Sequence, residues 1–274
     1  MIIKNPKTSN RLVGTHQKID KAAHRVLMKN LPKNTFFPSA KEIIYFEGMR
    51  GPDGLKRKSP GIDEPSHFLL PDHDDHHLIK IILDHQYNLR QALKKKDSIR
   101  AAFEAAWMAH AITDGLTPAH HFPLSDTTKE LMSNKDFIKI FGEPIKGVMR
   151  GDNVFQMARN NWLYWGARGY MSKHVAFEYG IALAIASMPY RQLTPHIKKE
   201  AFKKIDLETE FYRSLRQIYN LNMYKRFCKK GWTTHLALET KRFLLPEIIR
   251  VVALGWASAL PSATKKGQND ARKN

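Results

Sequence analysis

The sequence predicts an all-α protein built as a single multi-helix domain. Most of the 274 residues fall in segments where apolar residues recur at three- and four-residue spacing, as on one face of a helix. No segment of useful length alternates apolar and polar residues, no repeat is visible, and there is no glycine-rich phosphate loop. We therefore expect one helical domain over residues 1–260, with an insertion at about 122–170, and a disordered basic tail over 261–274.

The first half of the chain predicts four helices and one long loop. A capping box at Ser39–Glu42 opens the second helix, and Gly115 and Pro118 are stop signals for the fourth. Residues 48–71 are rich in glycine and proline, which predicts a loop of the kind that is usually functional or disordered. The predicted helices are Thr15–Met28, Ser39–Phe46, Asp75–Lys95 and Ser98–Thr113.

The second half predicts shorter helical pieces followed by a long helix. Thr194 and Pro195 form a good helix start, so we expect one helix from there through Asn220. The other predicted segments are about 126–141, 153–165, Met171–Met188 and a helical pair over Thr233–Leu260.

The composition limits the function classes. The formal charge is +19, from 45 Lys and Arg against 26 Asp and Glu, which predicts affinity for phosphate esters, nucleic acid or an anionic membrane surface. A basic proteome or simple solubility explains the charge equally well, because the lysines are spread along the chain. The single cysteine, Cys228, excludes an intramolecular disulfide. No signal peptide or transmembrane segment is visible, so a cytoplasmic location is the default expectation.

Two helical pairs of metal-ligand residues stand out. His110 and Asp114 are four residues apart, and so are His174 and Glu178, which puts each pair on one helix face. One such pair alone is better interpreted as a helix with scattered polar residues. Two inward-facing pairs on different helices are one way in which a polynuclear metal site is built. Imidazole and carboxylate groups suit Zn²⁺ better than Ca²⁺ or Mg²⁺.

These motifs resemble the zinc-dependent phospholipase C and P1/S1 nuclease superfamily. The resemblance lies in His-x3-Asp-x5-His, at His110, Asp114 and His120, followed by His-x3-Glu, at His174 and Glu178. Upstream of them, Asp53 and His67 stand fourteen residues apart, as in the bacterial phospholipases, and His16 resembles the first-helix histidine of the family. The resemblance implies an all-α fold of the phospholipase C/P1 nuclease type, with a polynuclear zinc site in a cleft.

The resemblance also implies a role for each residue. One zinc is expected on Asp53, His67, His110 and Asp114, and a second on His120, His174 and Glu178. A third, on His16, would share Asp114 as a bridge. In the family, a metal-activated water attacks a phosphodiester, and we expect Asp53 also to orient or deprotonate that water.

The chain departs from the family pattern at two places. Family members begin with a tryptophan whose terminal amine and carbonyl bind the third zinc, whereas here fifteen residues precede His16, so the third ion stays open. The 53 residues between His120 and His174 exceed the spacing in the short bacterial phospholipases. This insertion forms either a lid or pocket for a head group or base, or a peripheral helical elaboration, which we slightly favour. Its candidate pocket residues are Trp162, Tyr164, Trp165 and Arg168.

Other histidines leave alternatives. His121 replaces His120 as the ligand if the loop is shifted by one residue. The tract Asp72–His77 is either a metal-binding cluster or, as we favour, a solvated helix start whose acidic residues complement the helix dipole.

Three functions remain in competition. The first hypothesis is a zinc-dependent hydrolase of phosphodiester bonds, phospholipase C-like, acting on phospholipids. The second is a P1/S1-like nuclease or nucleotidase, which the positive charge favours. The third is a non-catalytic protein that retains zinc for stability and binds a polyanion or a membrane. The sequence carries no prediction of the oligomeric state.

Overall fold

The structure is a computed structural model that describes residues 14–47, 51–52, 69, 71, 76–121, 152–166, 169–203 and 205–261. All regular elements in these ranges are helices, which confirms the all-α prediction. The α-helices are α1 (Thr15–Asn30), α2 (Ala40–Tyr45), α3 (His77–Lys95), α4 (Ser98–Leu116), α5 (Val154–Trp165), α6 (Tyr170–Ala184), α7 (Leu207–Asn220), α8 (Met223–Lys230), α9 (Thr234–Glu239) and α10 (Leu245–Ser258). Short 3₁₀ helices span Pro118–His121, Tyr190–Leu193 and Lys199–Phe202, and a π-helical turn, Thr240–Leu244, joins α9 to α10.

Helix α4 lies at the centre of the core. Its small residues let α3 and α10 pack closely against it, and α1, α2 and α7 also contact it. Trp256 of α10 is fully buried there, and its indole N–H donates to the carbonyl of Ala105 at 2.8 Å. Because α4 is central, two polar side chains near its end, His110 and Asp114, lie in the interior. The alanines that line α4 are Ala101, Ala102, Ala105, Ala106 and Ala109.

The predicted end of α4 is wrong by three residues. Gly115 lies inside the helix, because the absence of a side chain there permits close packing. A Cβ at this position would lie 2.5 Å from Leu78 Cδ2 and 2.9 Å from Phe211 Cζ. The helix ends at Leu116, and the 3₁₀ helix that follows returns His120 towards Asp114.

The long helix predicted from Thr194 to Asn220 is also wrong. Its first part contains only the 3₁₀ turn at 199–202, and α7 begins at Leu207. Asp206 adopts an extended backbone as the N-cap and accepts the N–H of Thr209 at 3.2 Å. This local capping interaction starts a new helix instead of continuing an earlier one. Helix α8 has no counterpart in the sequence prediction, and it follows Asn222, which has a left-handed backbone (φ 53°).

The remaining predicted helices agree with the structure to within a few residues. Helix α6 ends at Ala184, four residues before the predicted end at Met188, and α3 begins at His77. The predicted helix at 126–141, most of the loop at 48–71 and the tail beyond residue 261 lie outside the described residues. Among the described helices, none combines the length and the apolar character needed to cross a bilayer.

Candidate metal centre

The carboxylate of Asp114 lies among three imidazole rings that come from three different elements. Its Oδ2 is 3.2 Å from His110 Nε2, one turn earlier on α4. Its Oδ1 is 3.4 Å from His16 Nε2 on α1 and 3.8 Å from His120 Nε2 on the 3₁₀ helix. The rings of His16 and His110 are stacked, with centroids 4.3 Å apart. Asp114 thus lies within 4 Å of a ring nitrogen of each of the three histidines.

A second group forms where α6 meets the 3₁₀ helix. Oε1 of Glu178 lies 2.9 Å from His174 Nε2 and 3.0 Å from His120 Nε2. His174 and Glu178 are one turn apart on α6, as the i, i+4 spacing predicts. His120 therefore faces both carboxylates and connects the two groups.

These side chains form two clusters that can hold a metal ion. In each cluster, ligand atoms of three residues lie within 4.8 Å of one another. Ligands 2.0–2.1 Å from a tetrahedral zinc ion lie about 3.3 Å from each other. The distances from the carboxylate oxygens of Asp114 and Glu178 to the histidine nitrogens around them are 2.9–3.8 Å, which is close to this value. The clusters are His16, Glu47 and His110, and His120, His174 and Glu178.

Two further contacts position helix α6, one from α1 and one from the segment between α8 and α9. The ammonium of Lys18 donates to the carbonyls of Ile185 and Ala186, just after α6, at 2.5 and 2.9 Å. Cations at this end complement the helix dipole. On α6 itself, the indole of Trp232 occupies the space where a Cβ of Gly180 would lie. These contacts set the position of His174 and Glu178 relative to His16.

Two buried acids belong to this region but were not among the predicted site residues. Glu47 is 6% exposed, and its Oε1 lies 2.9 Å from His110 Nδ1, so the ring N–H donates to it and Nε2 is left to face Asp114. Such a carboxylate orients a metal-binding histidine. Asp20 is 2% exposed and lies four residues after His16 on α1. The spacing of His16 and Asp20 is the i, i+4 spacing of the other two pairs, so the sequence could have indicated Asp20. Glu47 follows the short helix α2 and has no such partner near it in sequence.

Burial and neighbouring charges shift the pKa values of three groups in the site. Burial acts to lower the pKa of His110, but the carboxylates of Asp114 and Glu47 outweigh it and raise that pKa well above its ordinary value. Burial acts to raise the pKa of Glu178, but hydrogen bonds from His120 and His174 lower it to about 2. The pKa of Asp20 is raised, first by burial and then by the charge of Glu47. Negative charge from carboxylates is therefore concentrated around the buried ring of His110.

The structure brings six of the eight predicted ligands together, while Asp53 and His67 lie outside the described residues. His121, the alternative to His120, lies elsewhere, because its Nε2 donates to the carbonyl of Gly115 at 2.9 Å. Burial lowers the pKa of His121 to about 4. The six assembled residues are His16, His110, Asp114, His120, His174 and Glu178.

The site opens into a cavity of about 530 Å³. One wall is α6, where Val175 and Tyr179 follow His174 and Glu178 directly and are 52% and 63% exposed. Trp162, a candidate pocket residue of the insertion, is 70% exposed on α5 and is not part of the described lining. Arg168 lies outside the described residues.

Fold and site together define an all-α protein with a candidate metal centre of histidine and carboxylate ligands. The chain matches no protein-family model, no curated protein and no solved structure.

Proposed function

We propose that this protein is a zinc-dependent hydrolase of phosphodiester bonds, most similar in activity to a phospholipase C. One observation carries the proposal. The carboxylate of Asp114 lies among three histidines, beside the His174–Glu178 pair, at the wall of an open cavity. A fully structural metal site is closed by protein ligands, whereas a catalytic one keeps access for water and substrate.

The residues have distinct tasks in this proposal. His110 and Asp114 would hold one ion, with Asp53 and His67 completing that set as the family resemblance implies. His120, His174 and Glu178 would hold a second ion, and His16 would hold a third beside Asp114. Bound zinc supplies positive charge that neutralises a phosphodiester oxygen and lowers the pKa of a water to about 7.

The chain itself prepares these ligands. Glu47 accepts the Nδ1–H of His110 and thereby fixes the tautomer in which Nε2 faces the site. Against the effect of burial, hydrogen bonds from His120 and His174 lower the pKa of Glu178 to about 2, so its carboxylate stays charged even in mild acid. We assign the catalytic role of orienting or deprotonating the water to Asp53, on the resemblance alone.

The wall of the cavity favours a lipid substrate. Val175 and Tyr179 are exposed next to two proposed zinc ligands, and apolar surface at the mouth of a site suits a diacylglycerol group. The net charge of +19 instead favours the second candidate, a nuclease or nucleotidase on the same metal core. The third candidate is a zinc-stabilised protein without activity that binds a polyanion or a membrane.

Metal analysis and two substrate assays test the proposal. The purified protein should contain two or three zinc ions per chain and release phosphocholine from phosphatidylcholine vesicles. His110→Ala should lose bound zinc, activity and stability, while His235→Ala, a change at an exposed histidine of α9, should leave all three near those of the wild type. A protein without zinc contradicts both enzyme hypotheses. Cleavage of single-stranded DNA but not of lipid replaces the first candidate by the second, and full zinc without either activity favours the third.

A further inference from the structure

A second cavity, of about 570 Å³, lies between α1 and the segment 191–200. Six of its lining side chains are basic, and Glu200 is the acidic residue among the lining residues described. The basic side chains come from two separate parts of the chain, so the fold, and not one run of sequence, concentrates them. They are Arg25, Lys29, Arg191, His196, Lys198 and Lys199.

The basic side of α1 continues beyond this cavity. Lys21, Arg25 and Lys29 follow one another at four-residue spacing, and all three also line an adjoining cavity of about 800 Å³. Like charges at this spacing repel each other and destabilise a helix. The ion pairs among the described residues use other arginines, and neither Arg25 nor Lys29 takes part in them. Those arginines are Arg100, Arg213, Arg226 and Arg250.

This basic region is distinct from the metal centre. Arg25 lies nine residues after His16 on α1, which separates the two by about 13 Å along the helix axis and by half a turn around it. His16 faces the metal centre, so Arg25 and its neighbours face away from it. None of the six proposed zinc ligands that the structure describes lines either basic cavity.

We propose that this region is a binding site for a ligand that carries two or more phosphate groups. An arginine fork and several lysine ammoniums at one concave surface are the donors that recognise phosphate oxygens. A single phosphate needs only part of this set, whereas several phosphates neutralise charges from both α1 and the 191–200 segment. Binding also relieves the repulsion between the like charges along α1. The inference does not depend on the metal centre or on the proposed hydrolase activity.

Calorimetric titration with inorganic tripolyphosphate tests this site. Arg25→Ala/Lys29→Ala should bind at least about tenfold more weakly than the wild type, because two charge-assisted contacts are lost. Lys94→Ala/Lys95→Ala is the matched control, since it removes two exposed charges at the end of α3 and leaves the cavity intact. Both double variants retain every proposed zinc ligand, so a contribution from bound zinc is the same in each. Arg25→Gln/Lys29→Gln, which keeps the aliphatic bulk, should show the same loss if the alanine variant unfolds.

A second arm identifies the source of the phosphates. Sedimentation with phosphatidylcholine vesicles that contain a polyphosphoinositide should depend on Arg25 and Lys29 if the ligand is a lipid head group. Tripolyphosphate binding that needs these residues, without such vesicle binding, assigns a soluble ligand. Equal dissociation constants for the Arg25/Lys29 and Lys94/Lys95 variants in the titration overturn the proposal, as does absence of tripolyphosphate binding to the wild type.

Discussion

The two halves of the metal centre differ in how firmly the fold holds them. The half on α1 and α4 lies in the core, where the side chain of His110 is fully buried and that of Glu47 is 4% exposed. The half on α6 lies at the edge, where the side chain of Glu178 is 43% exposed. In the first half, His110 and Glu47 are the buried members, whereas the side chain of His16 is 27% exposed. In the second half, His174 and Glu178 lie on a helix with exposed apolar residues.

This difference indicates a division of labour. In the buried half, Glu47 and the stacked ring of His16 fix His110 before any ion binds, so little ordering remains to be done on binding. In the α6 half, the position of the ligands depends on Lys18 and on the packing of Trp232 against Gly180. We therefore expect the buried half to bind its ion more tightly and the α6 half to be the one that adapts to substrate.

The largest expected effect comes from comparing Asp114→Asn with His174→Ala. Asp114 lies closest to His110 and His16, so its replacement should weaken binding of the ion on that half by about a hundredfold or more and should affect the ion on His120, His174 and Glu178 much less. His174 contacts only the α6 group, so His174→Ala should cost one ion and leave the other. Zinc stoichiometry after dialysis measures both.

His235→Ala again serves as the control for loss of an imidazole. If His174→Ala removes all bound zinc, the two groups do not bind their ions independently. If Asp114→Asn removes none, Asp114 is not a zinc ligand.

The buried histidine that follows His120 in the chain, His121, should make the protein sensitive to acid. The unfolded chain accepts a proton at this residue near pH 6.5, whereas burial lowers the folded pKa to about 4. The unfolded state thus binds more protons between these values, and stability is lost as the pH falls from about 6.5 to about 4. The loss reaches about 3 kcal/mol. Urea unfolding at pH 6.5 and 4.5 measures it.

The matched variant is His121→Gln, which keeps an N–H donor for the carbonyl of Gly115 but does not titrate. On acidification, the unfolding free energy of the wild type should fall more than that of the variant. An identical pH dependence of the two proteins would show that His121 is protonated in the folded state.

Helix type and the grouping of the main site residues could be predicted from the sequence because both depend on local periodicity. His110 with Asp114, and His174 with Glu178, share a helix face whatever the rest of the chain does. The position of Glu47 could not be predicted in this way, since its contact with His110 joins residues 63 apart in sequence. The zinc, the substrate and the third ion stay predictions.

The wrong boundaries have the same origin. Gly115 has the properties of a helix stop, but its place inside α4 is decided by Leu78 and Phe211, which only the tertiary fold brings there. Conversely, the helix start at Asp206 depends on a local capping residue. The sequence prediction places the start at Thr194–Pro195 instead, because that pair is also a good helix start.

Gly115→Ala tests how tightly the buried half is packed. The new Cβ would collide with Leu78 and Phe211, so we expect a loss of about 1–3 kcal/mol in unfolding free energy. The intrinsic preference of alanine for helix offsets at most about 1 kcal/mol of this. Gly14→Ala is the control for steric clash, because a Cβ there meets no atom within 4 Å. Gly14 is the N-cap of α1, where alanine is less favourable than glycine, so its effect should stay within about 1 kcal/mol. Comparable stabilities for the two variants would mean that α3 and α7 can move away from α4 without cost.

The smallest expected effect concerns the hold of α1 on the α6 half. Lys18→Met keeps the aliphatic stem but removes the ammonium that binds the carbonyls after α6. Since burial already lowers the pKa of Lys18, part of the gain from these contacts is offset by desolvation, and the net loss in unfolding free energy should be about 1 kcal/mol.

The stronger readout for Lys18→Met is metal binding. With α6 less firmly placed, the affinity of the His120, His174 and Glu178 group should fall while that of the buried half stays constant. Lys21→Met, one turn along the same helix, removes an equal charge without touching α6. Equal metal affinities in the two lysine variants would show that α6 holds its ligands in place without α1, and the contrast between the two halves would then rest on burial alone.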